Sequence, residues 1–187
     1  MIPRFDGAHA EKLSNGAALP AGGYVARIES AKVETYTWGN VLVIALDIAE
    51  GNHTGHFRKM FDENSDPNKK WKGIFRLTIP NEKSKFFVSE KRSFNNFIFA
   101  LETSNNGYHF DWDEKRLKGL LFGALYRNKE FLAENGKKIM TTECGGCTDI
   151  LSIKDGSFTP LKDKLLKDEP ARSETTDVFY DDDLPFN

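Results

Sequence analysis

No apolar run in this 187-residue chain approaches the ~18 residues needed to cross a bilayer as a helix. The opening Met-Ile-Pro-Arg-Phe-Asp lacks the basic-then-apolar order of a secretion signal. A water-soluble cytoplasmic protein with no membrane partner is therefore expected. Cysteine is scarce: only Cys144 and Cys147 are present, too few for a disulfide framework and in keeping with a reducing compartment. Enzyme signatures are missing as well. There is no Gly-Lys-Ser/Thr phosphate loop, no Gly-x-Ser-x-Gly elbow, and no carboxylate pattern that demands two metals. Asp62-Glu63 with Asp66 have the chemistry to bind Mg²⁺, but a polar loop explains them more simply. No catalysis and no cofactor are expected, and a metal-dependent nuclease is the enzymatic rival.

What the chain does have is an uneven distribution of charge. The formal net charge is −2. Pro170 to Asn187 carry five acids and one base, whereas Gly55 to Lys138 carry 17 bases and 11 acids. A basic middle and an acidic end suggest a nucleic-acid-binding body with a tail that avoids nucleic acid.

The tail ends in Asp181-Asp182-Asp183-Leu184-Pro185-Phe186-Asn187. Three adjacent carboxylates repel one another, and Pro185 fixes its own φ without offering an amide donor. An extended acidic leash with an exposed Phe is expected. Such a leash suits a partner that offers an apolar pocket with a basic rim. This tip closely resembles the one that ends bacterial and phage single-stranded DNA-binding proteins. The resemblance implies that Asp181, Asp182, Asp183, Leu184, Pro185 and Phe186 recruit replication and recombination proteins and do not hold DNA. In that family the Phe is usually the last residue; here Asn187 displaces the terminal carboxylate by one position.

The body is expected to be mainly β. Tyr24 to about Glu34 reads as a first strand. Its apolar phase passes from Tyr24, Ala26 and Ile28 to Ala31 and Val33, which implies a bulge near Glu29-Ser30. Val41 to Ala49 reads as a central strand and Gly55 to Phe61 as a third. Trp71 to Pro80 fits a helix or a short strand. Phe94, Phe97, Ile98 and Leu101 mark one face of a helix over Ser89 to Ser104. Leu120 to Leu132 and Lys137 to Asp149 form a hairpin across Ala133-Glu-Asn-Gly136, and Ile150 to Lys154 read as an extension of its second strand. Three strands, a helix and two strands is the order of a five-stranded Greek-key OB-fold barrel. The division expected is an N-terminal arm (1–20), an OB-fold domain (21–160), and a linker with the acidic tail (161–187). From Leu19 to Leu165 the body also resembles a family of phage-encoded single-stranded DNA-binding proteins. The likeness rests on Leu19-Pro-Ala-Gly-Gly-Tyr24, Leu120-Leu-Phe-Gly-Ala-Leu125 and Asp155-Gly-Ser-Phe-Thr-Pro160. It implies non-catalytic, sequence-independent binding of single-stranded DNA in phage replication or recombination, inside a bacterial host. A homo-oligomer, taken as a dimer, is the assembly guessed.

Single strands are held by cations on phosphates and aromatic rings under bases. The candidate residues combine these types. Tyr36 and Trp38 lie in the first inter-strand turn. Phe57, Lys59 and Phe61 share one face of the expected third strand, with Arg58 on the other. Lys69-Lys70-Trp71-Lys72 places one large ring among three ammonium groups. Tyr126, Arg127 and Lys129 end the fourth strand, and Lys137 and Lys138 follow the hairpin turn. Most of the 15 Phe residues must be core, and Phe57 and Phe61 suit either role. Trp71 is expected to face solvent, because burying it among three Lys would be costly. Trp112, between Asp111 and Asp113, reads as structural. Cys144-Gly-Gly-Cys147 and His53-Thr-Gly-His56 hold the ligand types of a tetrahedral metal site, but about 90 residues separate them; ordinary sheet residues and no metal are expected. Two other roles compete with this reading: an adaptor for RNA or branched junctions, and a protein-interaction module that binds no nucleic acid.

Overall fold

Val41 to Ile48 are buried without interruption, so the strand that carries them is covered on both faces. The computed structural model describes residues 18–166. The expected arm up to residue 17, and the tail with Asp181, Asp182, Asp183, Leu184, Pro185 and Phe186, lie outside the described residues. In chain order the elements are β1 (Gly22–Tyr36), β2 (Gly39–Ile48), α1 (His56–Glu63), β3 (Ile74–Thr78), α2 (Phe87–Ser104), a 3-10 turn (Glu114–Leu117), β4 (Leu121–Leu132), β5 (Lys138–Thr148) and α3 (Ile150–Asp155). The five strands make one antiparallel sheet in the order β3-β2-β1-β4-β5.

β1 is long because it serves two partners. Gly22 to Arg27 pair with β4, and Ala26 to Tyr36 pair with β2. The register against β2 slips between Ile28 and Ser30, where the sequence places a bulge. A bulge adds local twist, and a sheet whose central strand changes partners midway curls. Its two edges, β3 and β5, consequently come into contact without forming a ladder. Helix α2 packs against β3, β4 and β5 with Phe94, Phe97, Ala100 and Leu101 buried. Phe75, Phe97 and Phe122 lie 5.8–6.1 Å apart by ring centroid at the centre of the core. The Asn-Gly hairpin is present: Gly136 takes φ 72°, and its amide donates to the Ala133 carbonyl at 2.8 Å. Among the described residues no helix is long and apolar enough to cross a membrane.

Two expectations are corrected. Gly55 to Phe61 is not the third strand, because His56–Glu63 form helix α1. The cause lies in β2. The Asp47 carboxylate, 3% exposed, accepts the amides of Phe57 at 2.9 Å and Arg58 at 3.3 Å, as well as that of Ile48 at 2.9 Å. It thus satisfies the orphan donors at the start of a helix whose own N-cap, Gly55, has no side chain to offer. The third strand is instead Ile74–Thr78, where Phe75 and Leu77 are buried and Arg76 is exposed. The second correction concerns Ile150 to Lys154, which form helix α3 and do not extend β5. Asp149 caps that helix by accepting from the Ser152 amide (2.9 Å) and hydroxyl (2.7 Å).

Asp47→Ala is expected to cost about 2–4 kcal/mol, combining a lost helix cap with amides left buried and unpaired. Urea unfolding would show a lower midpoint at unchanged slope. A loss under ~1 kcal/mol would mean that solvent replaces the carboxylate at those amides.

Candidate nucleic-acid interface

Where β3 and β5 meet without pairing, a cleft of about 740 Å³ opens. Lys70, Trp71, Lys72 and Arg76 line it from β3 and the segment before it. Arg127 and Lys129 of β4 line it as well, with Thr141 and Glu143 of β5. Two clusters about 55 residues apart in sequence thus face one opening. Five cations and two acids, Glu34 and Glu143, line it.

The approach of Trp71 depends on glycine. Gly73 pairs with Leu46, donating no side chain to a space where a Cβ would lie 2.2 Å from the Leu46 carbonyl oxygen. The same carbonyl accepts the Trp71 indole N–H at 2.9 Å. Trp71 is therefore half-buried and packs on the core, contrary to the expected solvent-facing ring. Arg58 lies over its ring at 5.0 Å, and Phe61 is tilted against it at 5.7 Å. Lys69 lies 4.6 Å from the Phe61 centroid. These residues form a run of cations and rings beside the cleft.

The acids organise the cations. Glu143 accepts from Arg127 at 2.7 and 3.0 Å and from Lys129 at 2.9 Å, with Lys164 at 4.0 Å. Burial alone would raise the Glu143 carboxyl. Hydrogen bonds from Lys129 and Arg127, with the charges of Lys129 and Lys164, outweigh it and hold the pKa below the ordinary value. Glu34 follows the same pattern: burial opposes, while Lys32, Tyr36 and Arg76 hold its carboxyl low. Both acids are ionised at neutral pH, which leaves the cleft with a positive excess.

The other candidates fall into three groups. Tyr36 and Trp38 stack at 5.3 Å with planes 11° apart on the β1–β2 turn, and Trp38 is 51% exposed. That pair is a ready aromatic platform, and Tyr36 is two residues from the cleft-lining Glu34. Phe57 and Tyr126 are core residues, 6% and 5% exposed, packed face to face at 6.2 Å; their faces are not open to stacking bases. The expected common face of Phe57, Lys59 and Phe61 does not exist in a helix. Lys59 points to solvent and pairs with Glu63 at 3.7 Å. Lys137 and Lys138 are exposed near the hairpin tip and do not line the cleft. Sequence reasoning missed Arg76, Glu34, Glu143 and Lys164. The alternation around Phe75 and Leu77 signals Arg76; no local pattern signals Glu143.

Cys144-Gly-Gly-Cys147 has a packing role. Burial pushes the Cys147 thiol up to about 12, against a hydrogen bond from Asn96, and the Cys144 thiol is raised as well. A Cβ at Gly145 would sit 2.9 Å from Arg127 Nε and 3.2 Å from Leu161. The glycine leaves room for a guanidinium of the cleft and for the returning C-terminal segment. Among the described residues no three His, Cys, Asp or Glu side chains gather as a metal site. No protein-family model matches this chain, and no curated protein matches it.

If the cleft takes a single strand, Glu143→Gln should steepen the salt dependence of that binding by ~0.7 for each cation released to a phosphate, so by up to ~1.4 for Arg127 and Lys129. Affinity should rise at low salt and the gain should vanish at high salt. The folded pKa of Glu143 is depressed, so its ion pairs stabilise the fold above its unfolded pKa. That stabilisation is lost as pH falls through the folded value. Glu143→Gln should therefore be less stable at neutral pH and approach wild type in acid. An unchanged salt slope would mean that neither cation meets a phosphate.

Proposed function

We propose that this chain binds single-stranded DNA without catalysis and without sequence preference, as a protein of phage type acting in replication or recombination, and that its acidic tail recruits partner proteins. The observation that carries the reading is the cleft. It joins Lys70, Trp71 and Lys72 to Arg127 and Lys129, cations and a ring drawn from two separate clusters, across the open seam between β3 and β5. The exposed Trp38 ring, stacked on Tyr36, supplies a second aromatic surface. Phosphates attract cations at any sequence, and every base has a face to stack, so this chemistry favours binding without base preference.

The strand order supports an OB-type Greek-key barrel. β1 lies between β2 and β4, a helix crosses between β3 and β4, and β3 and β5 touch where such a barrel would close. In that fold the face near the first inter-strand loop is where oligonucleotides lie. The likeness of the C-terminal tip to that of single-stranded DNA-binding proteins supports the recruiting role.

A titration of Trp fluorescence with thymidine oligomers at two salt concentrations tests this. Tight binding with a slope of about −2 to −3.5 fits three to five phosphate contacts. Mixed-sequence DNA should bind equally well. Absence of binding at low salt, or clear preference for RNA or for a junction, would overturn the reading, and loss of labelled strand with Mg²⁺ would make the protein a nuclease.

A further inference from the structure

Two polar atoms of cleft-lining residues have no hydrogen-bond partner among the described residues: Nε2 of His56 and the hydroxyl of Tyr126. Both are shielded from solvent. A third such atom, on Tyr108, belongs to a residue outside the cleft. Buried polar atoms are nearly always paired, so two unpaired ones bordering one opening call for a physical reason.

The fold holds both residues firmly. Tyr126 sits where the β4–β5 register shifts, its ring against Phe57 and edge-on to Tyr24 at 5.7 Å. His56 begins α1 and meets Phe57 edge-on at 4.9 Å. Both rings pack against Phe57, and both residues line the cleft. Both groups are uncharged at neutral pH. Burial lowers the His56 imidazole, with His53 adding to it and Asp47 opposing, and burial raises the Tyr126 hydroxyl. The hydroxyl can donate and accept, and neutral imidazole offers one function of either kind. Met60, an unbranched side chain that yields readily, lines the same cleft.

The cleft therefore combines two chemistries, with neutral donor–acceptor groups at its inner wall and cations around them. A free phosphate uses only the cations. A ligand that uses both is anionic at one end and flat, neutral and hydrogen-bonding at the other, as a nucleotide unit is. We propose that the inner wall receives one nucleobase of the bound strand, with Tyr126 and His56 hydrogen-bonding its edge while Lys70 and Arg127 hold the adjoining phosphates. The proposal rests on the single-stranded DNA reading and adds to it a pocket that takes a base out of the stack.

The test compares wild type with Tyr126→Phe on a thymidine oligomer and on an abasic oligomer of equal length, which keeps the phosphates and removes the bases. The substitution deletes an oxygen that is unpaired in the free protein and keeps the ring, so the melting temperature should equal or exceed that of wild type. Affinity for the thymidine oligomer should fall about three- to tenfold, as for one lost hydrogen bond, and affinity for the abasic oligomer should not change. Unchanged affinity of Tyr126→Phe for the thymidine oligomer would overturn the pocket and leave single-strand binding standing. A lowered melting temperature would show that the hydroxyl is bonded within the protein and would also overturn it. Failure of wild type to bind the thymidine oligomer would overturn both the pocket and the function it rests on.

Discussion

Trp71→Ala should cost the protein about 2–4 kcal/mol of stability and also weaken single-strand binding by the molecules that stay folded. The stability term follows from the position of the indole. Its N–H donates to the Leu46 carbonyl of β2, its ring rests on the core beside Phe61, and Arg58 covers part of it. Removing a fully buried large ring costs ~3–5 kcal/mol, and a half-buried one costs about a kcal/mol less. The Leu46 carbonyl also loses a donor. Trp71→Phe helps to separate the terms, since it keeps an aromatic face and gives up the hydrogen bond, worth ~0.5–1.5 kcal/mol, with part of the ring's packing. Binding should follow the ring. Arg58 lies over the ring, so at most one face is open to a base, and the loss in Trp71→Ala should not exceed one stacked base, ~1–3 kcal/mol. Equilibrium unfolding gives the first quantity and titration within the native baseline gives the second. If folded Trp71→Ala binds as wild type does, the ring is a wall of the cleft and not a platform.

The fate of Trp71 shows what local sequence could and could not convey. Three neighbouring lysines argued for exposure, but the lysines stay at the surface while Gly73 lets the indole dock on β2. The segment from Phe57 to Phe61 failed for a related reason. Phe57, Lys59 and Phe61 alternate as a strand does, yet Phe57 and Phe61 are also one helical turn apart. The choice between the two was made by Asp47, ten residues earlier in β2, whose carboxylate caps the helix. Features fixed by neighbours in sequence were legible: the bulge in β1 from its shift of apolar phase, the hairpin from Asn-Gly, and α2 from its apolar stripe. Helix α3 was legible in principle, because Asp149 and Ser152 stand at capping distance.

The candidate site divides in the same way. Which residue types line the cleft could be read in part from clusters of Lys, Arg and aromatic rings. Which clusters face each other could not, because the seam between β3 and β5 exists only once the sheet curls. Phe57 suited either the core or the surface, and Tyr126 looked like a surface aromatic among basic residues. Helix α1 turns Phe57 inward, Tyr126 is buried beside the register shift in β4–β5, and the two pack on each other. Glu143 drew no notice as a single acid in a strand, yet it positions two cations of the cleft.

Deleting Asp177 to Asn187 should abolish binding of replication or recombination partners and leave DNA affinity equal or slightly higher. The described chain leaves the body beside the cleft. Lys164 bridges to β4 at Lys129, its ammonium lies 4.0 Å from the cleft-lining Glu143, and the Leu166 amide donates to Glu130 at 3.1 Å. Asp181 follows 15 residues later, a span of at most ~50 Å when extended, so the acidic run can reach back to the cations it left. The deleted segment carries four acids and no base. Under the proposed function it would compete with phosphate for the cleft, and screening within ~8 Å at physiological salt would keep the effect small. The gain on deletion should disappear at high salt. Phe186→Ala makes the sharper comparison, because every charge remains. An apolar anchor in a partner's pocket carries much of such an interaction, so the variant should lose its partners with no change in DNA affinity at any salt concentration. If Phe186→Ala still retains the partners that wild type captures, the tail does not recruit through its tip. If deletion changes DNA affinity equally at low and high salt, the competition is not electrostatic.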